Sequence, residues 1–289
     1  MNIRIGAGAV FVAMSLLASA AALAAGPGAV RKQIEASMLV TGKIQVDTSG
    51  KVAGFSLDEK DKLPEGVVSL IGTAVPTWRF EPVLIDGKAA NVATDMNIRV
   101  VAKKVDKDSF TITIRSAGFG DRTGNPEERP RPVSMEPPRY PDSAARNGVS
   151  GTVYLLVRAG RDGKVSDVFV EQVNLKAVAD ETTMARWRRM FEDASVWQAK
   201  RWTFAPPTEG DDARSDFWVL RVPVMFSFDD PRSVKAAYGR WEAYVPGPRQ
   251  ANPWKEDKEG AAFSPDTLAP GGAYLAGSGL KLLTQLSES

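Results

Sequence analysis

The side chains that most often carry catalysis are missing from this sequence, which contains no cysteine and no histidine. Their absence excludes a Ser-His-Asp triad, a Cys-His dyad, a histidine-ligated zinc site and any disulfide. Paired carboxylates and Ser-Lys dyads could still perform acid-base or nucleophilic chemistry, but no spacing singles out such a pair. We therefore predict no catalytic residue, no metal site and no cofactor, and the composition argues against an enzyme.

The charged residues nearly balance, with 37 Lys and Arg against 35 Asp and Glu and a net charge of +2. So small a surplus does not predict a phosphate-binding surface, and we expect no nucleic-acid partner. With 289 residues and 43% hydrophobic content, the chain is long enough for about two ordinary globular domains.

The first 24 residues have the pattern of a secretory signal peptide. Arg4 precedes an apolar run over residues 5–17, and the Ala-Leu-Ala sequence at 22–24 matches a small-x-small cleavage site. The pattern predicts export to the periplasm of a bacterium-like envelope. The alternative is an uncleaved inner-membrane anchor over residues 5–25, which is barely long enough to cross roughly 30 Å of hydrocarbon.

The second half of the chain has the pattern β-β-α-β. Residues 151–158 form an apolar, β-rich run, Asp-Gly at 162–163 predicts a tight hairpin turn, and residues 164–171 return as the second strand. An apolar stripe at helical spacing follows, and residues 217–228 form a long final strand. The stripe, which we expect in the core, consists of Met184, Trp187, Phe191, Ala194 and Trp197.

The first half repeats this order in a weaker form. Residues 43–57 read as a hairpin around Gly50, and a helical apolar stripe follows that Pro76 should end. Residues 97–105 form the predicted closing strand, and residues 110–115 look like one further strand.

Both halves place a W-x-F-x-P motif between the helix and the closing strand, at residues 78–82 and 202–206. We expect its tryptophan and phenylalanine to anchor the helix end to the sheet, as large core side chains do. The shared order of turn, helix and motif predicts an α+β fold made of two small β-β-α-β domains, related by tandem duplication.

The remaining segments show little periodicity. Residues 121–135 are rich in proline, which disfavours helices and ladders, so we predict a semi-rigid linker. Residues 230–289 form a Pro- and Gly-rich tail that either packs over a domain edge or is disordered. The aromatic side chains that could pack are Tyr238, Trp241, Tyr244 and Trp254. The predicted domains are therefore residues 30–120 and residues 136–229.

Six motifs of the second half resemble, in order, the C-terminal domain of the TonB family. They are Pro-Pro-Arg-Tyr-Pro at 137–141, Ala-Ala at 144–145 with Gly148, Gly-Thr-Val at 151–153, Asp-Gly-Lys-Val at 162–165, Arg-Trp-Thr-Phe-Ala-Pro at 201–206 and Val-Pro-Val-Met-Phe-Ser-Phe at 222–228. The resemblance covers about residues 136–229. Residues 38–103 look like a degenerate copy that lacks the Tyr-Pro segment.

Pro223 interrupts the predicted final strand. Because proline lacks an N–H, we expect this strand at a sheet edge or bulge, where unpaired main-chain groups can capture an extended peptide by β-augmentation. The TonB resemblance implies that this edge binds a segment of an outer-membrane transporter. The partner-binding residues that it implies are Arg139, Tyr140, Pro141, Val222, Val224, Met225, Phe226 and Phe228. The alternatives are that the tail or a second protomer covers the edge.

The chain departs from the TonB energy transducer, which has an uncleaved N-terminal helix with a histidine that docks on a proton motor, and a long spacer. Here there is no histidine, the apolar segment looks cleavable, and the linker is short and lies between two domains. We therefore expect a periplasmic TonB-like binding module in TonB-dependent transport, without proton-motor contact. The alternatives are a membrane-anchored energy transducer, or a structural envelope protein that assembles through edge strands, for instance as a homodimer.

Overall fold

The computed structural model describes residues 35–85, 87–104, 110–120, 125–229, 238–254 and 260–286. The predicted signal peptide, residues 1–24, lies outside them. Within them the chain forms two larger antiparallel sheets, each packed against a helix on one face, and the tail adds strands to both. None of the helices in these ranges has the length and apolar character needed to cross a membrane.

The first unit is centred on its first strand. Its elements are β1 (Glu35–Val46), β2 (Val52–Leu57), helix α1 (Glu65–Ala74), β3 (Leu84–Ile85), β4 (Lys88–Ala89), β5 (Val92–Lys104) and β6 (Phe110–Phe119). β1 pairs with β2 on one side and with β5 on the other, and β6 extends the sheet beyond β5. α1 buries Val67 and Ile71 in the core, and Pro76 lies in the 3-10 turn that follows it.

The second unit repeats this strand order. Its elements are β7 (Arg131–Ser134), α2 (Asp142–Arg146), β8 (Gly151–Gly160), β9 (Val165–Leu175), α3 (Glu181–Ala199), β10 (Thr203–Ala205) and β11 (Phe217–Phe226). β8 pairs with β9 on one side and with β11 on the other. Asp180 precedes α3 as its N-cap, and its carboxylate accepts the Thr183 N–H at 3.0 Å.

Most of the predicted core positions of the second unit are buried, but Trp197 is not. The side chains of Met184, Phe191, Ser195 and Ala199 define the buried face of α3. Trp197 lies two residues from each of the last two, about 200° around the helix, and it is 60% exposed. The prediction that Trp197 belongs to the core is therefore wrong.

The hairpin turns of the two units make the same contacts. Gly50 and Gly163 have φ angles of 79° and 75°, and the carbonyl of each accepts the N–H of Phe80 or Phe204 at 2.8 Å. A Cβ atom on either glycine would lie 2.1 or 2.3 Å from the carbonyl oxygen of that phenylalanine. Glycine is needed at both turns, because the left-handed conformation and the close approach exclude a side chain.

Part of the predicted linker forms a ladder. Pro126–Glu128 form a 3-10 turn, and β7 pairs with β10, so that Pro132 lies opposite Phe204. The expectation that this proline-rich stretch makes no ladder is wrong, because proline is accepted in a strand whose N–H groups are not all required.

The tail joins the two sheets. β12 (Glu242–Tyr244) pairs with the start of β1, and the next residue, Val245, bridges Leu175 of β9. β13 (Tyr274–Leu275) then pairs with β11, which makes the order of the second sheet β13–β11–β8–β9. The described tail residues are therefore packed, as the first of the two tail alternatives expects.

A buried ion network holds the tail on the second sheet. Arg221 Nε lies 2.8 Å from Glu171 Oε2, and these side chains are 2% and 1% exposed. From the tail, Arg249 Nη2 lies 2.9 Å from Glu171 Oε1, and Arg249 Nη1 donates to the Phe263 carbonyl at 2.9 Å. Buried charges are tolerated only when they are paired, so the tail helps to complete the folded second unit.

Candidate partner-binding edge

Tyr140 lies at the centre of an aromatic cluster beside the last strand. α2 begins directly after Pro141 and holds the Tyr140 hydroxyl in position to donate to the Val149 carbonyl at 2.5 Å. The ring contacts Phe228, Phe226 and Phe191 at centroid distances of 4.7, 5.5 and 5.9 Å. Burial raises the pKa of the Tyr140 hydroxyl, which keeps it neutral at pH 7. The structure therefore brings together Tyr140, Pro141, Phe226 and Phe228, as the sequence predicted.

The other predicted site residues differ in what they offer to a partner. Val222, Val224 and Phe226 point their side chains into the core, and their main-chain groups face β8, so neither part of these residues is directed toward a ligand. Met225 is half-buried, and Phe228 is 55% exposed. Arg139 is exposed and lies 3.4 Å from the Asp142 carboxylate, an exposed ion pair that contributes little to stability.

The main chain of β11 alternates between its two neighbours. The carbonyl groups of Val219 and Pro223 face away from β8, because they accept N–H groups of the tail, from Ala276 at 2.9 Å and from Gly271 at 3.4 Å. With a period of two, Met225 also directs its N–H and C=O to the outer side. Val224 faces β8, opposite Val153. Pro223 thus occupies an edge position, as expected for a residue without an N–H.

The expectation of an open edge along the last strand is wrong for its first part. β13 pairs with Leu220 and Arg221, and Gly271 approaches Pro223. The tail closes this part because buried main-chain groups need hydrogen-bond partners. Among the residues that the structure describes, no strand pairs with the outer side of β11 at 224–226, so the edge is covered in part and open in part.

The open part of the edge faces a cleft of about 270 Å³ between the two sheets. Its lining includes Met225 with Arg99, Tyr154 and Tyr244. Arg99 Nε lies 3.8 Å from Asp266 Oδ2, and the Tyr244 hydroxyl donates to the same carboxylate. Burial raises the pKa of both Tyr154 and Tyr244 well above the usual range, so both phenols are neutral donors.

Sequence reasoning missed the tail residues that shape this site. Gly271 and β13 cover the edge, and Asp266 holds Arg99. A strand of two residues has no alternation to detect, and a lone carboxylate in a tail gives no sign of a partner far away in the sequence. Only the aromatic character of Tyr244 signalled packing.

Three comparisons with known proteins bear on the chain. No protein-family model matches it. A stretch of 92 residues is 34% identical to Protein tonB2 of Pseudomonas aeruginosa and covers 32% of this chain and 29% of that protein. A stretch of 97 residues is 34% identical to Protein TonB of Xanthomonas campestris pv. campestris and covers 33% of this chain and 37% of that protein.

The solution structure of the Pseudomonas aeruginosa TonB CTD is 22% identical and covers 37% of this chain and 91% of its own, with a TM-score of 0.23. The chain spans about a third of the length of the curated relatives that it matches. About a third of this mixed α/β chain is therefore similar in sequence to proteins of the TonB type.

Proposed function

We propose that the chain is a periplasmic TonB-like binding module associated with TonB-dependent transport across the outer membrane. It binds an extended transporter segment by β-augmentation of β11. The observation that carries this proposal is the outer side of β11 at Met225, which has no strand partner among the described residues and lies beside the Tyr140 cluster. In this proposal the module only binds its partner, and it needs no catalytic residue, no cofactor and no metal.

The main chain supplies the affinity and the surrounding side chains supply the selectivity. The N–H and C=O of Met225 pair with the segment, while Phe228, Tyr140 and Arg139 contact its alternate side chains. The accessible stretch is short, because β13 occupies Leu220 and Arg221. We therefore expect micromolar or weaker binding, since ordering the segment offsets much of the gain.

Proline substitution at neighbouring positions tests this mode of binding. Met225→Pro removes the outward N–H and leaves the pairing with β8 intact, so that affinity for a synthetic transporter peptide should fall about tenfold. Met225→Leu is the matched control and should bind like the unchanged chain. Val224→Pro instead removes a donor that faces β8 and should lower the free energy of unfolding. Equal peptide binding by Met225→Pro and Met225→Leu, measured calorimetrically, would contradict the proposal.

Export to the periplasm is part of the same proposal. Cleavage after Ala24 should give a mature chain that begins at Ala25, or at Gly26 if one more residue is removed. N-terminal sequencing of the protein from the cell envelope checks this. A chain that keeps residues 1–24 in the inner membrane would favour the alternative, a membrane-anchored energy transducer.

We also infer that the two units arose by tandem duplication. The shared strand order, the matching glycine turns and the two buried motif tryptophans, Trp78 and Trp202, support this origin. A comparison of the two units with each other, in this chain and in its close relatives, tests this origin. Duplicated units should align with each other across the whole β-β-α-β order.

A second candidate function is a structural envelope protein that touches no transporter. The pairing of β13 with β11 favours it, because the tail fills part of the edge that a transporter would use. Affinity capture from an outer-membrane extract separates the two functions. Recovery of transporters by the unchanged chain, with loss in Met225→Pro, supports the binding module, whereas capture of other envelope proteins alone supports the structural role.

A further inference from the structure

The tail crosses the outer side of β11 as a strap, residues 269–279, whose two ends are held by the first unit. Before the strap, Asp266 is 1% exposed, and the Arg99 guanidinium of β5 donates to its carbonyl oxygen. After the strap, Leu280 and Leu282 are buried in the first core. The ends of the strap are therefore fixed independently of its contact with β11.

Few hydrogen bonds hold the strap on β11. The Ala276 N–H donates to the Val219 carbonyl at 2.9 Å, and the Gly271 N–H donates to the Pro223 carbonyl at 3.4 Å, which is longer than usual. Between these contacts, the two residues of β13 pair with the strand. Gly271 and Gly277 flank β13 with φ angles of 86° and 82°, which glycine adopts readily. Rotation at these two turns would let the strap leave β11 while its ends stay in place.

The side chains of the strap alternate between the two faces of the second sheet. Leu275 lies opposite Leu220 and packs, together with Ala273, against the second core. Ala276 packs on the other face, in one cluster with Val219. The strap thus covers the edge as a bound extended peptide does, with main-chain hydrogen bonds in the middle and side chains in alternate pockets.

Met225 alone offers too little main chain to hold a partner firmly. The outward-facing residues Val219, Arg221 and Pro223 are occupied by the strap, so that Met225 adds a single pair of hydrogen bonds. One such pair contributes less than the freedom that is lost on association. A stable complex at this edge therefore requires the main-chain groups beneath the strap.

We propose that the strap is an internal ligand of β11, and that an extended transporter segment displaces it by pairing antiparallel with the strand from Met225 back to Val219. This inference rests on the proposed function, because it states how the same site is closed and which kind of segment opens it. The displacing segment carries apolar side chains in the places of Ala273 and Leu275, which face the second core, and a small side chain in the place of Ala276.

Displacement of the strap leaves the rest of the second unit intact. The incoming segment replaces the hydrogen bonds of the strap with its own and adds those of Met225. Glu171 keeps both of its partners, because Arg221 belongs to β11 and Arg249 precedes the strap. Since the strap is part of the same chain, it competes at a high effective concentration. The edge therefore stays closed until the segment is present.

An engineered disulfide between the strap and β11 tests the proposal, because the chain has no cysteine of its own. Leu220 and Leu275 are register partners, and the bond from the Ala276 N–H to Val219 makes them a non-hydrogen-bonded pair. The Cα atoms of such a pair lie about 4.5 Å apart, a distance that suits a disulfide. The full chain with Leu220→Cys and Leu275→Cys can therefore be studied with the strap locked by oxidation or unlocked by reduction.

The probe is a fluorescent synthetic peptide with the sequence of residues 269–279, the strap peptide, whose binding is measured by fluorescence anisotropy. Oxidation of the disulfide variant should weaken its binding at least about tenfold relative to the reduced form, which is the matched control. Leu275→Asp, which places a charge against the second core, should release the strap and raise the affinity about tenfold over the unchanged chain. Leu283→Asp, the same change at a tail side chain that is 54% exposed, should bind like the unchanged chain.

A synthetic peptide from a transporter recovered by affinity capture then competes with the strap peptide. It should displace the strap peptide from Leu275→Asp and bind the reduced disulfide variant more tightly than the oxidised one. Equal binding of the strap peptide by Leu275→Asp and Leu283→Asp overturns the inference. If the transporter peptide binds both redox forms equally, the inference is overturned while the proposed function stands. If it binds no form of the chain, with the strap locked or released, the proposed function fails and this inference fails with it.

Discussion

In the first unit the closing strand β5 is covered along its outer side by the ten residues of β6, whereas in the second unit β11 is covered by only the two residues of β13. Both added strands run antiparallel, in equivalent places of the same strand order. In both units, the outer side of the closing strand therefore pairs with an additional strand. The first unit carries that strand within itself, and the second leaves room beyond Pro223.

The W-x-F segments show a second difference. In the second unit the segment pairs with β7, just before the Tyr-Pro sequence. In the first unit, which lacks that sequence, the tail takes this place, because Glu81 N–H donates to Lys281 and Leu283 N–H donates to Arg79, at 3.0 and 2.8 Å. Each unit thus needs a strand beside this motif, and each obtains it from a different part of the chain.

Removal of the tail should have the largest effect and should affect the first unit more. Of the described tail residues, Ala262, Leu280 and Leu282 lie in the first core, whereas Val245 lies in the second core and Ala276 packs on the other face of the second sheet. A chain that ends at residue 229 should therefore lose the cooperative unfolding transition of its first unit and expose apolar surface. Circular dichroism melting measures this, and an unchanged melting curve would show that the tail is dispensable.

The motif tryptophans should be equally important in the two units. Trp78→Ala and Trp202→Ala each remove a buried ring and should each lower the free energy of unfolding by about 3–5 kcal/mol. Denaturant unfolding measures both. A loss below about 1 kcal/mol in either variant would break the equivalence of the two units.

Removal of an ion pair should lower the free energy of unfolding more in the second unit, where the pair is buried, than in the first unit, where it is exposed. Arg221→Met leaves Glu171 buried with only part of its network and should cost about 3 kcal/mol, while the double variant Arg221→Met/Glu171→Leu should recover most of this loss. The exposed Lys43–Asp95 pair of the first unit is the control, with both side chains 72% exposed. Its removal by Lys43→Met should change the unfolding free energy by less than about 1 kcal/mol. A recovery that fails in the double variant would show that the buried pair itself stabilises the fold.

The turn of the first unit should give the smallest effect, which depends on pH. Hydrogen bonds from the Ser49 side chain and then from the Lys51 N–H lower the pKa of Asp47. A lowered folded-state pKa stabilises the fold above the unfolded pKa, and this contribution is lost as the pH falls through the folded value. Asp47→Asn should therefore flatten the decline in stability between about pH 5 and about pH 2. Urea midpoints across this range check it, and an equally steep decline in the variant would contradict it.

Local patterns predicted much of the fold. The Asp-Gly turn at 162–163, the helical stripe from Met184 to Phe191 and the two W-x-F motifs lie where expected, because each depends on residues close together in the sequence. The closing strand of the first unit was also expected, although it begins at Val92 rather than at residue 97. Trp197 was misplaced because its spacing of three from Ala194 fits the apolar stripe, although it lies about 200° around the helix from the buried Ser195 and Ala199.

The candidate site was likewise predicted from the sequence only in part. Pro223 predicted an edge strand, and Tyr140 and Phe228 were correctly grouped with it. Whether that edge is open depends on residues 271–276, about fifty positions further along the chain. Two residues of strand carry no pattern, so only the folded chain reveals the contact.

By itself the sequence determined the absence of cysteine and histidine chemistry, the β-β-α-β order and the hairpin turns at Gly50 and Gly163, since these follow from residue types and short spacings. The tertiary structure decided which edges stay free, how the tail joins the two sheets and where Trp197 lies. These outcomes depend on pairings between distant segments, whose hydrogen bonds and buried surface exist only once the chain has folded.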